Sequence, residues 1–382
     1  MNRRILLTAL VCFIVMNSLS AQESSGSVRI FQLFNFDWKF QSGDMKDAQS
    51  VNYDDSNWRV LDLPHDFQFE QPWDSAASGA RGFKAMGDGW YRKSFKADPA
   101  WKGKRVLLDF EGIIYLGDVW VNGEKVGSTD YGYLGFEADI TKLLRYDADN
   151  VVAVYASTGK TGGSRWYTGG GLFRDVHLLV KDSVSIARNG VFITTPDVSA
   201  NNAQVGVQVE IEGFRGKNSD LEIAVKIFSS DGKQVGETKT LAPKNSKKSA
   251  NEVLLPAVNI PSPQLWSCET PNLYSAEITL SLNGKVIDRV TEKFGIRTIE
   301  YSKEFGFKLN GRKVFLKGIA NHHDLGAVGA AAYETAIARQ MDALKAFGFN
   351  HIRTSHNPYS KSFLRLADEK GILIVDELYD KW

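Results

Sequence analysis

A chain of 382 residues, 43% of them hydrophobic, exceeds what one hydrophobic core serves, so two or three domains are expected. A formal net charge of +1 provides no basic field to recruit nucleic acid or an anionic membrane surface. Of two cysteines, Cys12 lies in the apolar leader and Cys268 is left alone, so no intrachain disulfide is expected and the fold must hold by packing.

Residues 1–21 begin with Arg3 and Arg4, continue as an apolar run to Met16, and end in the small residues Ser18, Ser20 and Ala21. This is the pattern of a secretory signal. The run falls short of the roughly 20 residues a bilayer span needs, so a soluble protein of the periplasm or the exterior is expected, its net charge turned to −1 by cleavage.

From residue 28 to 183 short alternating runs, at 90–95, 105–110 and 151–156, are separated by Gly, Asn and Asp, as antiparallel strands require. DVWVNGEKVG, residues 118–127, reads as a hairpin with Asn122-Gly123 at its turn. A jelly-roll β-sandwich buries so many strands without helices between them. A second all-β block spans 184–297, with runs at 205–211, 221–228 and 274–282 and turns at Asp231-Gly232 and Asn283-Gly284. It suits an immunoglobulin-like sandwich. Residues 239–249, rich in Lys, Ser and Asn, read as a solvated loop.

The grammar changes at 298. A hairpin turning at Asn310-Gly311 leads to a strand near 314–320, then a helix over 333–347 with Ile337, Met341 and Leu344 on one face. A strand at 351–354, a helix at 361–370 closed by Gly371, and a strand at 372–378 follow. Strand and helix in alternation mean parallel pairing with crossovers. Residues 298–382 therefore read as the first three strands of a (β/α)8 TIM barrel, which takes about 250 residues in full. So small a piece buries little apolar surface, and it is expected to be the unstable end, with the two sandwiches folding independently of it.

Functional groups of such barrels gather at the C-terminal strand ends. Here those ends carry Asn321, His322, His323 and Asp324, then Arg353, Ser355, His356 and Asn357, then Asp376 and Glu377. Imidazole, guanidinium, amide and carboxylate groups at three successive ends suit a pocket that grips hydroxyls; taken singly, each also suits a loop cap. Zinc held by His322, His323 and His356 is the poorer reading, because adjacent residues on an extended segment point apart. No metal or cofactor is expected. Nine tryptophans offer flat rings for sugar faces, although most belong in cores.

The stretch NHIRTSHNPYSKSFLRLADEKGILIV, residues 350–375, resembles the signature of glycoside hydrolase family 2, with Asn357 where many members have Tyr. LPHDF (63–67), DVWVNG (118–123), WYTGGGLFRDV (166–176), WSCETPNLY (266–274) and FGIRT (294–298) agree in order, so the resemblance covers nearly the whole mature chain. It implies a jelly-roll sugar-binding domain, an immunoglobulin-like domain and a catalytic barrel. It also implies a retaining mechanism with two glutamates about 5 to 5.5 Å apart. Both family glutamates fall on later barrel strands and are expected beyond Trp382, so no catalytic residue is expected within the chain and Glu377 is not one. The resemblance implies sugar contacts from His322, His356 and Asp175, and an Arg353 that braces the nucleophile. The substrate implied is an oligosaccharide or β-glycoside. HHDLGAVGAA, residues 322–331, looks like a subset often assigned as β-galactosidases; β-glucuronidase, β-mannosidase or a non-catalytic carbohydrate-binding protein are the alternatives. The glycines at 169–171 would let backbone approach a neighbouring domain closely.

Overall fold

The computed structural model describes residues 28–159, 164–216, 219–243 and 250–379. The leader expected at 1–21 lies outside them, as does part of the loop expected at 239–249. The barrel portion expected to run to Trp382 is described only as far as Tyr379, so Trp382 also lies outside the described residues. Residues 239–241 belong not to a loop but to a strand, Gln234–Leu241, paired along its neighbour Leu221–Phe228.

Three Asn-Gly pairs set the hairpins. At Asn122-Gly123, Asn283-Gly284 and Asn310-Gly311 both residues adopt positive φ, between 49° and 87°, the geometry of the two-residue turn whose twist matches that of its strands. The asparagine side chains are also used: Asn122 accepts from the Val151 amide, Asn283 from the Asp220 amide and Asn310 from the Thr298 amide.

The first sandwich packs two antiparallel sheets. One has six strands in the order Arg59–Leu61, Trp38–Ser42, Asp88–Phe95, Asn150–Ser157, Leu116–Val121 and Glu124–Thr129. The other runs Ile30–Leu33, Val176–Lys181, Arg105–Phe110 and Phe136–Asp139. Trp38, Tyr91, Phe110 and Ile113 fill the core between them. The second sandwich sets Ser185–Val198, Asn202–Glu212, Ala250–Leu254 and Val258–Pro261 against Gln234–Leu241, Leu221–Phe228, Tyr274–Leu282 and Lys285–Phe294. Along Asn202–Glu212 every second residue is buried, so Val205, Val207, Val209 and Ile211 all face inward. Cys268 lies outside that core, in a cluster with Trp266, Leu309 and Leu373.

The last portion has three parallel strands, Gly318–Asn321, His351–Thr354 and Leu373–Asp376. The first is shorter than expected from 314–320 because the hairpin Gly306–Leu309 and Arg312–Lys313 precedes it. Helix α1 (Glu334–Ala346) and helix α2 (Lys361–Lys370) cross between them. The Ser360 hydroxyl accepts from the Phe363 amide and so caps α2.

This barrel piece does not stand apart from the sandwiches. The Ala332 amide donates to the Phe173 carbonyl at 2.8 Å, and Arg174 donates to the Pro358 carbonyl at 2.6 Å. The Trp266 indole donates to the Asp368 carbonyl of α2 at 2.7 Å. Asp66, buried, is the most heavily used joint: its carboxylate accepts from the Gln68, Phe69 and Gly170 amides, the Tyr167 hydroxyl and, across the seam, the Ala330 amide at 2.8 Å.

Candidate active-site pocket

The glycine loop after Trp166 works as its composition suggests. Gly169 and Gly171 have φ of 78° and 113°, and a Cβ on Gly169 would sit 2.5 Å from that of Ala330, so only glycine allows the loop to touch the barrel. The loop delivers Trp166 to the strand ends. Its ring lies 4.7 Å from that of His356 and 5.9 Å from that of His322, and the two imidazoles are 5.5 Å apart.

Behind them stands Glu377. Arg353 pairs with one carboxylate oxygen, and the other meets His356 Nδ1 at 3.1 Å. With Arg353 on one oxygen, the other is placed to accept from His356 Nδ1, which holds the ring in place. The Thr354 hydroxyl accepts from the Glu377 amide at 3.0 Å and donates to Asp376. Burial pushes the His322 imidazole below its ordinary pKa, with Asp324 opposing and His356 reinforcing. Near neutral pH it is an uncharged group, able to donate and accept.

Other expected pocket residues are occupied elsewhere. Asn321 exchanges amide hydrogen bonds with Gln340 of α1 at 3.3 Å, and its carbonyl accepts from Tyr359 and from the Ser355 amide. His323 points away from His322, into the seam: Nε2 donates to the Thr168 carbonyl at 3.0 Å, and Tyr133 and Phe173 meet the ring edge-on. Burial lowers its pKa to about 4. Asp324 is half-buried near His322 and Tyr167. Asn357 is 1% exposed, with no hydrogen bond to either amide atom. A cavity of about 20 Å³, room for one water, is lined by Arg174, Asn321, His323 and Tyr359.

Asp175 corrects the sequence reading. In the extended segment it points opposite to Arg174, and Arg174 takes the direction of the barrel. The Asp175 carboxylate accepts from Asn35 at 2.8 Å and lies beside Glu111 and His177, all residues of the first sandwich. The structure brings together Trp166, His322, His356, Arg353 and Glu377, and does not gather Asp175 with them.

Comparison with known proteins is decisive on kinship. Three models of Glycosyl hydrolases family 2 match in succession: the sugar binding domain over residues 37–182, the domain described by the family name alone over 184–297, and the TIM barrel domain over 302–380. The chain belongs to family 2 of the glycosyl hydrolases. A β-galactosidase from Bacteroides ovatus, BoGH2A, is 35% identical over 91% of this chain and 41% of its own length. A β-glucuronidase from Bacteroides fragilis is 31% identical over 91% of this chain and 49% of its own. The crystal structure of a family 2 member from Bacteroides cellulosilyticus superposes with a TM-score of 0.88 at 38% identity, covering 92% of this chain and 46% of that one. The chain thus spans less than half the length of these family 2 relatives.

Sequence reasoning missed two residues of this family 2 chain. Trp166 stood within a quoted motif, and the signal was an aromatic beside a glycine run. Asp66 stood in LPHDF, where nothing local distinguishes a joint between domains from a turn carboxylate.

Proposed function

We propose that this chain forms the sugar-contacting front of a retaining β-glycosidase that removes terminal β-linked sugars, preferentially β-galactosides, in the periplasm or outside the cell. The observation that carries this is the convergence of Trp166, His322 and His356 over a fixed Arg353 and Glu377. An indole face packs against the apolar face of a pyranose. The imidazoles exchange hydrogen bonds with its hydroxyls. The Arg353–Glu377–His356 chain holds the second of them in register. Glu377, engaged on both oxygens, is a positioning group, and the resemblance puts the acid/base and nucleophile glutamates on later strands, past Trp382. The preference for galactosides rests on residues 322–331 and on the β-galactosidase among the relatives, with β-glucuronidases beside it.

Nitrophenyl β-galactoside, β-glucuronide and β-mannoside test the reading. The 382-residue chain is expected to turn over none of them. Extended through the later barrel strands, it should prefer the galactoside, and Trp166→Ala should lower kcat/KM at least tenfold, a loss of about 1.4 kcal/mol. Turnover by the 382-residue chain that Glu377→Gln abolishes would make Glu377 a catalyst and overturn the assignment.

A further inference from the structure

Strand register places four ionisable residues on one face of the first sandwich. His177 pairs opposite Asp109, and Val176 opposite Phe110. Phe110 and Val176 point into the core, so Asp109, Glu111, Asp175 and His177 share the outer face. That face is the seam of the molecule: Arg188 reaches it from the second sandwich and Lys361 from helix α2. Both bind Asp109, Arg188 at 2.8 Å and Lys361 at 3.2 Å.

Among the described residues, Glu111 and Asp175 hold no Lys or Arg in an ion pair. The Glu111 side chain is 7% exposed, and its one ion-pair contact among the described residues is with His177 Nδ1 at 3.9 Å, too far for a hydrogen bond. Asp175 accepts a single hydrogen bond, from Asn35. His177 is itself nine-tenths buried, held flat against Phe31 at 4.3 Å, and its Nδ1 has no hydrogen-bond partner while it points at the carboxylates. One ligand atom from each of the three residues lies within 4.8 Å of the others. A buried acid, a half-buried acid and a buried imidazole nitrogen without a partner converge, with Asn35 the one hydrogen-bond donor to a carboxylate among the described residues, and a cation would complete the group.

We propose that Glu111, Asp175 and His177 bind a divalent ion of the zinc class at the junction of the three domains. The donor set is one nitrogen and carboxylate oxygens, which suits zinc, cobalt or nickel. Calcium would ask for about six to eight oxygens. Tetrahedral ligands at zinc stand about 3.4 Å apart, so the three donors, now within 4.8 Å of one another and 3.9 Å apart between His177 and Glu111, must draw inward by rotamer adjustment to bind it. Half-buried Asp175 gives the ion a way in, and water takes the fourth position. Burial first, and Asp175 second, raise the Glu111 pKa to about 7 against the opposing charges of Lys361 and Arg174.

The test is a cobalt titration of EDTA-treated, desalted 382-residue chain, read by visible absorption and competed with zinc. One equivalent should bind, and Glu111→Gln and His177→Gln should each weaken it at least tenfold with far-ultraviolet circular dichroism unchanged. If either variant fails to fold, Asp175→Asn provides the same reading from a half-buried position. No saturable cobalt signal in the parent overturns the proposal. So does equal binding in the variants, which would put the ion elsewhere, for example at His322 and His356.

Discussion

Asp66 concentrates five donors on one buried carboxylate, four from its own sandwich and one from Ala330 across the seam. Each stranded buried donor costs about 1 to 3 kcal/mol when its acceptor is removed, so Asp66→Ala should destabilise the chain by about 3 kcal/mol or more, read from chemical denaturation. Glu111 makes a prediction of opposite character. Its folded pKa of about 7 lies above the ordinary 4.5, so the folded state holds a proton that the unfolded state has released in that window. Its contribution is fully present below pH 4.5 and is lost as pH rises to about 7. His323, lowered to about 4 by burial, has the reverse slope: its contribution is present above pH 6.5 and lost as pH falls towards 4. With EDTA present, the stability of the parent relative to Glu111→Gln should therefore fall between pH 4.5 and 7, by about 3 kcal/mol at most. A difference that stays flat across that range would show that Glu111 is not the titrating group. The roles of Asp175 and Asp66 were not legible in sequence, because which way a strand-end carboxylate points depends on what the neighbouring residue takes first.

At the scale of elements, legibility followed local geometry. The strand Arg105–Phe110 and helix α2 (Lys361–Lys370) fall where alternation and a closing glycine put them, and the Ser360 cap adds a start signal the sequence reading had not used. The first barrel strand did not, because Val314 to Leu316 is as apolar as a strand while its backbone and that of Lys317 are spent joining the hairpin to Asn350. The two helix ends test how far a shared local rule extends. Gly348 and Gly371 both adopt positive φ, 83° and 71°. A Cβ on Gly348 meets nothing, whereas one on Gly371 would lie 2.5 Å from the Cys268 carbonyl oxygen in the second sandwich. Gly348→Ala should cost about 1 kcal/mol, the conformational penalty alone, and Gly371→Ala about 1 to 3 kcal/mol more. Equal melting temperatures for the two variants would remove the seam from the account of Gly371.

Across the whole molecule, the sequence made the order of three architectures plain, since turn spacing and the change from alternation to helix periodicity are local signals. How the third part is fastened to the first two was hidden, because, the Asp66 carboxylate aside, many of its joints use backbone acceptors that any residue supplies: the carbonyls of Phe173, Pro358, Thr168 and Asp368. Those joints change what proteolysis should show. The exposed hairpin turn at Lys303 and Glu304, with Tyr301 82% exposed nearby, is where trypsin should nick first. The two pieces should then co-elute on gel filtration under native conditions. A stable fragment ending near Arg297, freed from the rest, would show that the seam contributes little.

The bond from Ala330 to Asp66 joins residues 264 apart in the chain. At ribosomal rates of about 5 to 20 residues per second, Asp66 is made roughly 13 to 50 seconds before its partner across the seam. Gly170, 104 residues on from Asp66, is available to the carboxylate well before Ala330 is made, and until then the face meant for Ala330 is open to water and to any other amide that finds it. The order of synthesis thus makes the first sandwich wait, nearly finished, for its last donor. A chaperone that shields this one face would matter more than one that helps any strand to pair.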